Sequence, residues 1–179
     1  IVWDYWAKGR KLRAETIVGG TPIVTFVSGE FYTIADMLTR KGVAIRRAPE
    51  AIAADKTHAG ERGFGREGEE MIAKGAEFVR SETLSGRPCK MYRLTEERGK
   101  TEVWLTDDKR KLPVRVEFSR RDTGAKSTTD YIDWIADLEL SDSFFEPDPR
   151  VELERVEYAD YVTRSQSGSI VGPAPVLFS

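Results

Sequence analysis

The sequence predicts a mainly β protein with α elements, an α+β chain in which an antiparallel meander is covered by helices. Three observations carry that prediction. The first is Thr101 to Phe118, TEVWLTDDKRKLPVRVEF. Leu112, Val114, Val116 and Phe118 recur at every second residue, the period that lines one face of a strand, and Val103 and Leu105 do the same before them. Asp107, Asp108 and Lys109 supply the turn, and Pro113, which lacks a backbone donor, belongs near the start of its strand. The second observation is that further strand-like runs flank this hairpin, Arg87 to Glu96 before it and Lys126 to Asp137 after it. They are set off by Arg98-Gly99 and Asp122-Thr123-Gly124. The third is a change of pattern between Ala35 and Phe78, where alternation is lost and a helical period follows.

In chain order, Ile1 to Trp6 reads as a first strand ending at Ala7-Lys8-Gly9, and Lys11 to Val18 as a second. Gly19-Gly20-Thr21-Pro22 breaks the run, and Pro22 to Val27 with Glu30 to Ile34 forms a tight pair around Ser28-Gly29. From Ala35 to Gly68 no strand is expected. Met37, Leu38, Val43, Ile45 and Ile52 are irregularly spaced, Pro49 opens a short helix through Ala54, and a segment this long without a strand reads as a lid, a binding loop or a mobile segment. Glu67 to Phe78 then places Met71, Ile72, Gly75, Ala76 and Phe78 near one face against Glu69, Glu70, Lys74 and Glu77, an amphipathic helix laid on the sheet. After Trp134, adjacent Phe144 and Phe145 in a turn-rich stretch anchor the edge of the core. Val151 to Val162 reads as a last strand or edge addition. Ser165 to Ser179 is either a loose tail or an extra strand docking through Val176-Leu177-Phe178. One domain over 1–162, with a lid at about 35–78 and a tail at 163–179, is the expected organisation.

Thirty acidic against twenty-eight basic residues give a formal charge of −2, which does not fit a nucleic-acid partner. Cys89 is the single cysteine, so no intramolecular disulfide forms, and its mid-strand position excludes amino-terminal lipid attachment through it. No run approaches the roughly 20 apolar residues of a membrane helix, so any membrane contact is peripheral or transient. No signal peptide stands in the residues, and the start on Ile1-Val2-Trp3, which reads as strand interior, leads us to expect a trimmed or partly disordered amino terminus.

Several apparent sites dissolve on inspection. Gly63-Phe64-Gly65-Arg66-Glu67-Gly68 matches the glycine spacing of a dinucleotide fingerprint, but Asp55 to Arg62 is no buried strand, so the run reads as a hinge before a helix. His58, the sole histidine, stands in the same polar loop without partners for a metal or acid–base site. Asp130, Asp133 and Asp137 do not share one strand phase and read as a polar face. Cys89 reads as a buried strand thiol. No catalytic constellation, cofactor or metal is expected.

The strands also carry large apolar residues in both phases: Trp104 beside Val103, Tyr92 and Leu94 beside Met91, Ile132 and Trp134 beside Tyr131 and Ile135. A meander with one wet face alternates more cleanly. Either one face lines a partly enclosed cavity under the lid, or both are buried under helices and loops.

The ordered set Gly9-Arg10-Lys11-Leu12-Arg13-Ala14-Glu15, Val27-Ser28-Gly29-Glu30-Phe31-Tyr32, Gly86-x-x-Cys89-x-x-Tyr92, Val103-Trp104-Leu105, Leu112-Pro113-Val114-Arg115-Val116-Glu117, Tyr131-x-x-Trp134 and Leu140-x-x-x-Phe144-Phe145-Glu146-Pro147 resembles the LolA/LolB-like superfamily of bacterial envelope proteins. The resemblance spans roughly residues 1 to 155. It implies an unclosed antiparallel β half-barrel with an apolar concave side under lid helices. It further implies a periplasmic, non-enzymatic carrier of lipid or lipoprotein acyl chains toward the outer membrane, with an inner-membrane transporter or envelope protein as partner. On that footing Leu12, Val103, Leu105, Val114, Val116, Phe118, Ile132 and Trp134 line the cavity, and Met37, Leu38, Met71, Ile72 and Phe78 belong to the lid. A related branch senses envelope stress by binding a protein, so a sensory or scaffolding role is the second expectation. An enzyme comes third, because it needs convergent polar groups that the sequence does not supply.

Overall fold

The computed structural model describes residues 2–57, 65 and 67–167. Among the described residues the chain is mainly β with few helices, its strands form two open sheets, and those residues group into two compact units, one drawn from 2–57 with 139–167 and the other from 65 and 67–138.

The first unit holds a six-stranded sheet in the order β1 (Trp3–Lys8), β2 (Lys11–Val18), β3 (Thr21–Ser28), β4 (Phe31–Asp36), β5 (Lys41–Arg46) and β11 (Glu152–Val156). The first five run as an antiparallel meander, while β11 pairs parallel to β5. Leu12, Val27, Tyr32 and Ile45 stand side by side along one rung, and Arg13, Phe26, Thr33 and Ala44 along the next, facing the other way. Leu12, Val27, Phe26 and Ala44 are all buried, so both faces contribute to the core.

A 3-10 turn, Asp142–Phe145, caps this sheet as the paired phenylalanines led us to expect. Phe145 is fully buried, and the Arg13 guanidinium lies 4.3 Å from the Phe144 ring and 5.3 Å from that of Phe26. Arg13 also donates to the Phe144 carbonyl at 2.9 Å. Planar, weakly hydrated guanidinium suits this position between two rings better than an ammonium would. Helix α1 (Pro49–Thr57) follows β5, and α3 (Tyr158–Gln166) follows β11, tied back to it by Arg164–Glu154 at 2.6 Å.

Two expectations need correction here. The segment after Ala35 does contain a strand, β5, and Met37 and Leu38 sit in the turn that leads into it rather than in a lid. Asp36 makes that turn by accepting the amide protons of Leu38 (2.8 Å) and Thr39 (3.0 Å), which also hold its carboxyl below the usual range. Leu38 is 72% exposed. The stretch from Val151 to Val162 splits into β11 and the start of α3. The Val176-Leu177-Phe178 docking strand, His58, and Gly63, Phe64 and Arg66 of the glycine motif lie outside the described residues.

The second unit is a five-stranded antiparallel sheet in the order β10 (Lys126–Asp130), β9 (Pro113–Arg120), β8 (Gly99–Thr106), β7 (Arg87–Glu96) and β6 (Glu77–Leu84). Pro113 opens β9, as its missing donor requires. Asp108 shapes the preceding turn by accepting from Arg110 N at 2.9 Å and Lys111 N at 3.1 Å. Helix α2 (Glu67–Ala73) packs on β7 and β8. It is shorter than the helix expected through Phe78. Gly75 adopts φ +91° and a double closure forms, Gly75 N to Ile72 O at 3.0 Å and Ala76 N to Met71 O at 2.9 Å. A left-handed glycine with this bond pair ends the helix, and the chain enters β6 at Glu77. The last strand is also shorter than expected: β10 stops at Asp130, so residues 131–138 leave the sheet.

Candidate functional site

The functional candidate in the second unit is the sheet face that α2 covers. Cross-strand register sets Tyr92, Val103 and Val116 on one rung and Leu94, Thr101 and Phe118 on the next, all facing the same way. Met71 of α2 is buried with Val103 and Leu105, and Ile72, Ala76, Tyr92, Leu94 and Val116 pack around them. Small residues let the helix approach closely. A Cβ built on Gly68 would fall onto both methyl carbons of Leu105, so a helix with alanine there cannot sit at this distance without displacing Leu105.

The opposite face carries a second cluster, Cys89, Met91, Trp104 and Val114 with Leu84 against it. Val114 belongs to this cluster because β9 slips by one residue against β8 between Trp104 and Leu105, the sign of a β-bulge. Strict alternation placed Val114 with Val116; the bulge separates them. The Trp104 indole N–H donates to Glu82 at 2.5 Å, and burial pushes the Cys89 thiol pKa up, which suits a core thiol rather than a nucleophile.

The remaining expected cavity residues are dispersed. Leu12 is fully buried in the six-stranded sheet of the other unit. Ile132 is 65% exposed, in the irregular segment beyond β10, and so does not line an apolar interior. Trp134 is half-buried in the same segment, its ring stacked on Tyr131 at 5.4 Å and its N–H donating to the Pro113 carbonyl at 2.7 Å. Of the lid residues, Met71 and Ile72 lie on α2, while Phe78 is 54% exposed on β6, edge-on to Tyr92 at 5.8 Å.

Sequence reasoning missed the group that ties α2 down. Glu67, the first residue of α2, accepts a hydrogen bond from the Tyr131 hydroxyl at 2.9 Å, and its second carboxyl oxygen is buried with no hydrogen-bonding partner. Burial raises the Glu67 pKa, outweighing the hydrogen bonds from its own backbone amide, the Tyr131 hydroxyl and the Gly65 amide, all of which favour the charged form. Gly65 faces the Trp134 ring so closely that a Cβ would stand 2.8 Å from it. The Tyr131-x-x-Trp134 spacing was the available signal, but as a strand pattern it gave no hint of a carboxyl partner 64 residues earlier.

Asp130, Asp133 and Asp137 each face a different arginine, Arg115 at 2.6 Å, Arg87 at 3.7 Å and Arg110 at 3.5 Å. Among the described residues no group of three or more metal-ligating side chains converges, and no helix is long and apolar enough to cross a membrane.

A mainly β chain with an apolar sheet face under a short helix describes a class of proteins wider than any one function. The model of the family described as "Predicted periplasmic protein (DUF2092)" matches residues 69–158, just over half of the chain, and the chain belongs to that family. The protein is thereby placed in the periplasm. No curated protein matches it.

Proposed function

We propose that this periplasmic protein is a non-enzymatic carrier that holds the acyl chains of lipids or lipoproteins against the apolar face beneath α2 and moves them toward the outer membrane. The observation that carries the reading is the construction of that face. Tyr92, Leu94, Val103, Leu105 and Val116 span three adjacent strands, and their cover is a seven-residue helix touching them through Met71 and Ile72, with Ala76 packed beside it just past the helix end. A helix this short has little intrinsic stability and is held by its packing, so an apolar chain can compete for the same surface. Each methylene removed from water is worth about 0.8 kcal/mol, which makes a chain of ordinary length a strong competitor without any covalent step. The sequence resemblance to the LolA/LolB-like superfamily, with its lid-covered half-barrel, points the same way. In this reading the sheet with α2 is the counterpart of that covered surface.

The test is uptake of a solvatochromic fatty acid by the full chain. Blue-shifted, saturable fluorescence that disappears in Val116→Arg, with the circular dichroism of the variant unchanged, is the expected result. Saturable uptake that Val116→Arg leaves intact would contradict the assignment of this face.

A second reading has its own observation. Ile132, Ile135 and Leu138 are 65%, 74% and 50% exposed in a segment outside the sheet. Three large aliphatic side chains left in water at a spacing of three are a feature of protein-binding surfaces, as a sensory or scaffolding role requires.

A further inference from the structure

Helix α2 is attached to the rest of its unit by two kinds of contact. Its underside packs through Met71 and Gly68 on Val103 and Leu105. Its amino-terminal end is fastened by Glu67 to Tyr131, whose ring stacks on Trp134, which is pinned in turn to the Pro113 carbonyl and faces Gly65. Tyr131 itself is fixed where β10 ends, its amide donating to the Val114 carbonyl at 2.9 Å. The fastening therefore runs from the first residue of the helix to the rim of the sheet, beside a glycine that can act as a hinge.

We propose that α2 is a proton-dependent cover: with Glu67 protonated, the Glu67–Tyr131 latch holds the helix on the apolar face, and ionisation of Glu67 favours its lifting. A buried carboxyl with one oxygen unpartnered is tolerable when neutral and costly when charged, because the charge loses its hydration without a compensating cation. Among the described residues the groups around it offer none. On α2 itself the charge acting on it is that of Glu70, which repels. From β7 the facing residues are Tyr92 and Leu94, and Lys90 is engaged by Asp107 at 2.6 Å. From β8 the facing residues are Thr101, Val103 and Leu105. From the segment after β10, Tyr131 donates to Glu67, while Asp133 and Asp137 face Arg87 and Arg110.

The direction follows from linkage. Glu67 has a higher pKa with the helix down than with it lifted and hydrated. The stabilisation of the closed form is thus complete below the ordinary carboxylate pKa and is lost as pH rises through the closed-state value. Between those two pKa values the opening constant rises by up to about tenfold per pH unit, and above them it is flat. As a control on acyl-chain access this rests on the carrier reading above; as a motion of α2 it needs no ligand.

The test is hydrogen exchange of the full chain across the range from pH 4 to pH 8, with amide rates corrected for intrinsic chemistry. The α2 amides are compared with β7 amides as an internal reference. Protection of α2 is expected to fall with rising pH while β7 stays constant, and Glu67→Gln, which keeps an oxygen for Tyr131 but cannot ionise, should hold α2 at its low-pH protection throughout. Tyr131→Phe should lower α2 protection at every pH and guards against a Glu67→Gln variant that misfolds. Flat α2 protection in the wild type, or an unchanged pH dependence in Glu67→Gln, would overturn the proposal. Gating without acyl uptake would sink the carrier reading alone; acyl uptake with flat protection would sink the latch alone.

Discussion

Gly68 and Leu105 form a contact whose energetics can be worked from the structure. Leu105 is fully buried on β8, and a methyl group on Gly68 would occupy the space its branched end fills. Gly68→Ala therefore overpacks the α2–β8 junction at a cost of about 1–3 kcal/mol, offset by up to about 1 kcal/mol from the better helix propensity of alanine. The net expectation is a loss of roughly 1 kcal/mol. Leu105→Ala deletes a core side chain and should cost about 2–5 kcal/mol. In the double variant the new methyl enters the volume Leu105 vacated, the steric penalty vanishes and the helix gain remains. The double variant should then be at least as stable as Leu105→Ala alone, with a favourable coupling of about 1–2 kcal/mol. Hydrogen exchange of the β8 amides reads this locally, which avoids treating a chain of two compact units as one two-state system. Strict additivity of the two single costs, or a Gly68→Ala variant more stable than wild type, would refute the packing argument.

Phe145→Ala removes a fully buried aromatic from the six-stranded sheet. A loss of about 3–5 kcal/mol is expected, read as a melting temperature lower by roughly 10 °C in calorimetry. Glu102 is buried, and although that burial alone would raise its pKa, hydrogen bonds and charge from Arg93 at 2.7 Å and Lys100 at 3.1 Å hold it below the usual value. Its contribution to stability is present above the ordinary carboxylate pKa and lost as pH falls through the lowered one, so Glu102→Gln should narrow the stability difference between neutral and acid solution in urea titrations at several pH values. Val114→Ala, on the face with Trp104, should lower stability without abolishing fatty-acid uptake, whereas Val116→Arg should abolish uptake.

Strand elements were most legible where alternation was clean and turns were marked. Lys11–Val18, Arg87–Glu96 and the hairpin around Asp107–Asp108 stand where the period and the turn residues put them. What escaped the sequence has physical causes. Strand β5, KGVAIR, places buried Ala44 and Ile45 side by side because both of its faces are covered, and that erases the two-residue period. Its parallel partner β11 lies more than a hundred residues away, a pairing that no local pattern encodes. The helical face from Met71 to Phe78 looked continuous because Phe78 falls at the right spacing, yet Gly75 turns the chain and the same phenylalanine becomes an exposed strand residue. That Val103, Leu105, Val116, Met71 and Ile72 fall on one apolar face was legible from periodicity. Val114 was not, since one slipped residue in β9 reverses its face, and the Glu67–Tyr131 fastening depends on tertiary contact alone.

The carrier reading meets its most direct test in native mass spectrometry of the full chain purified from a bacterial periplasm, followed by organic extraction of whatever it holds. The account predicts a stoichiometric acyl-bearing species on the wild-type protein that is absent from Val116→Arg and retained by Val114→Ala. A clean unliganded mass that does not change on addition of fatty acid, phospholipid or lipopeptide would contradict it and leave the exposed Ile132, Ile135 and Leu138 surface as the place to look for a protein partner.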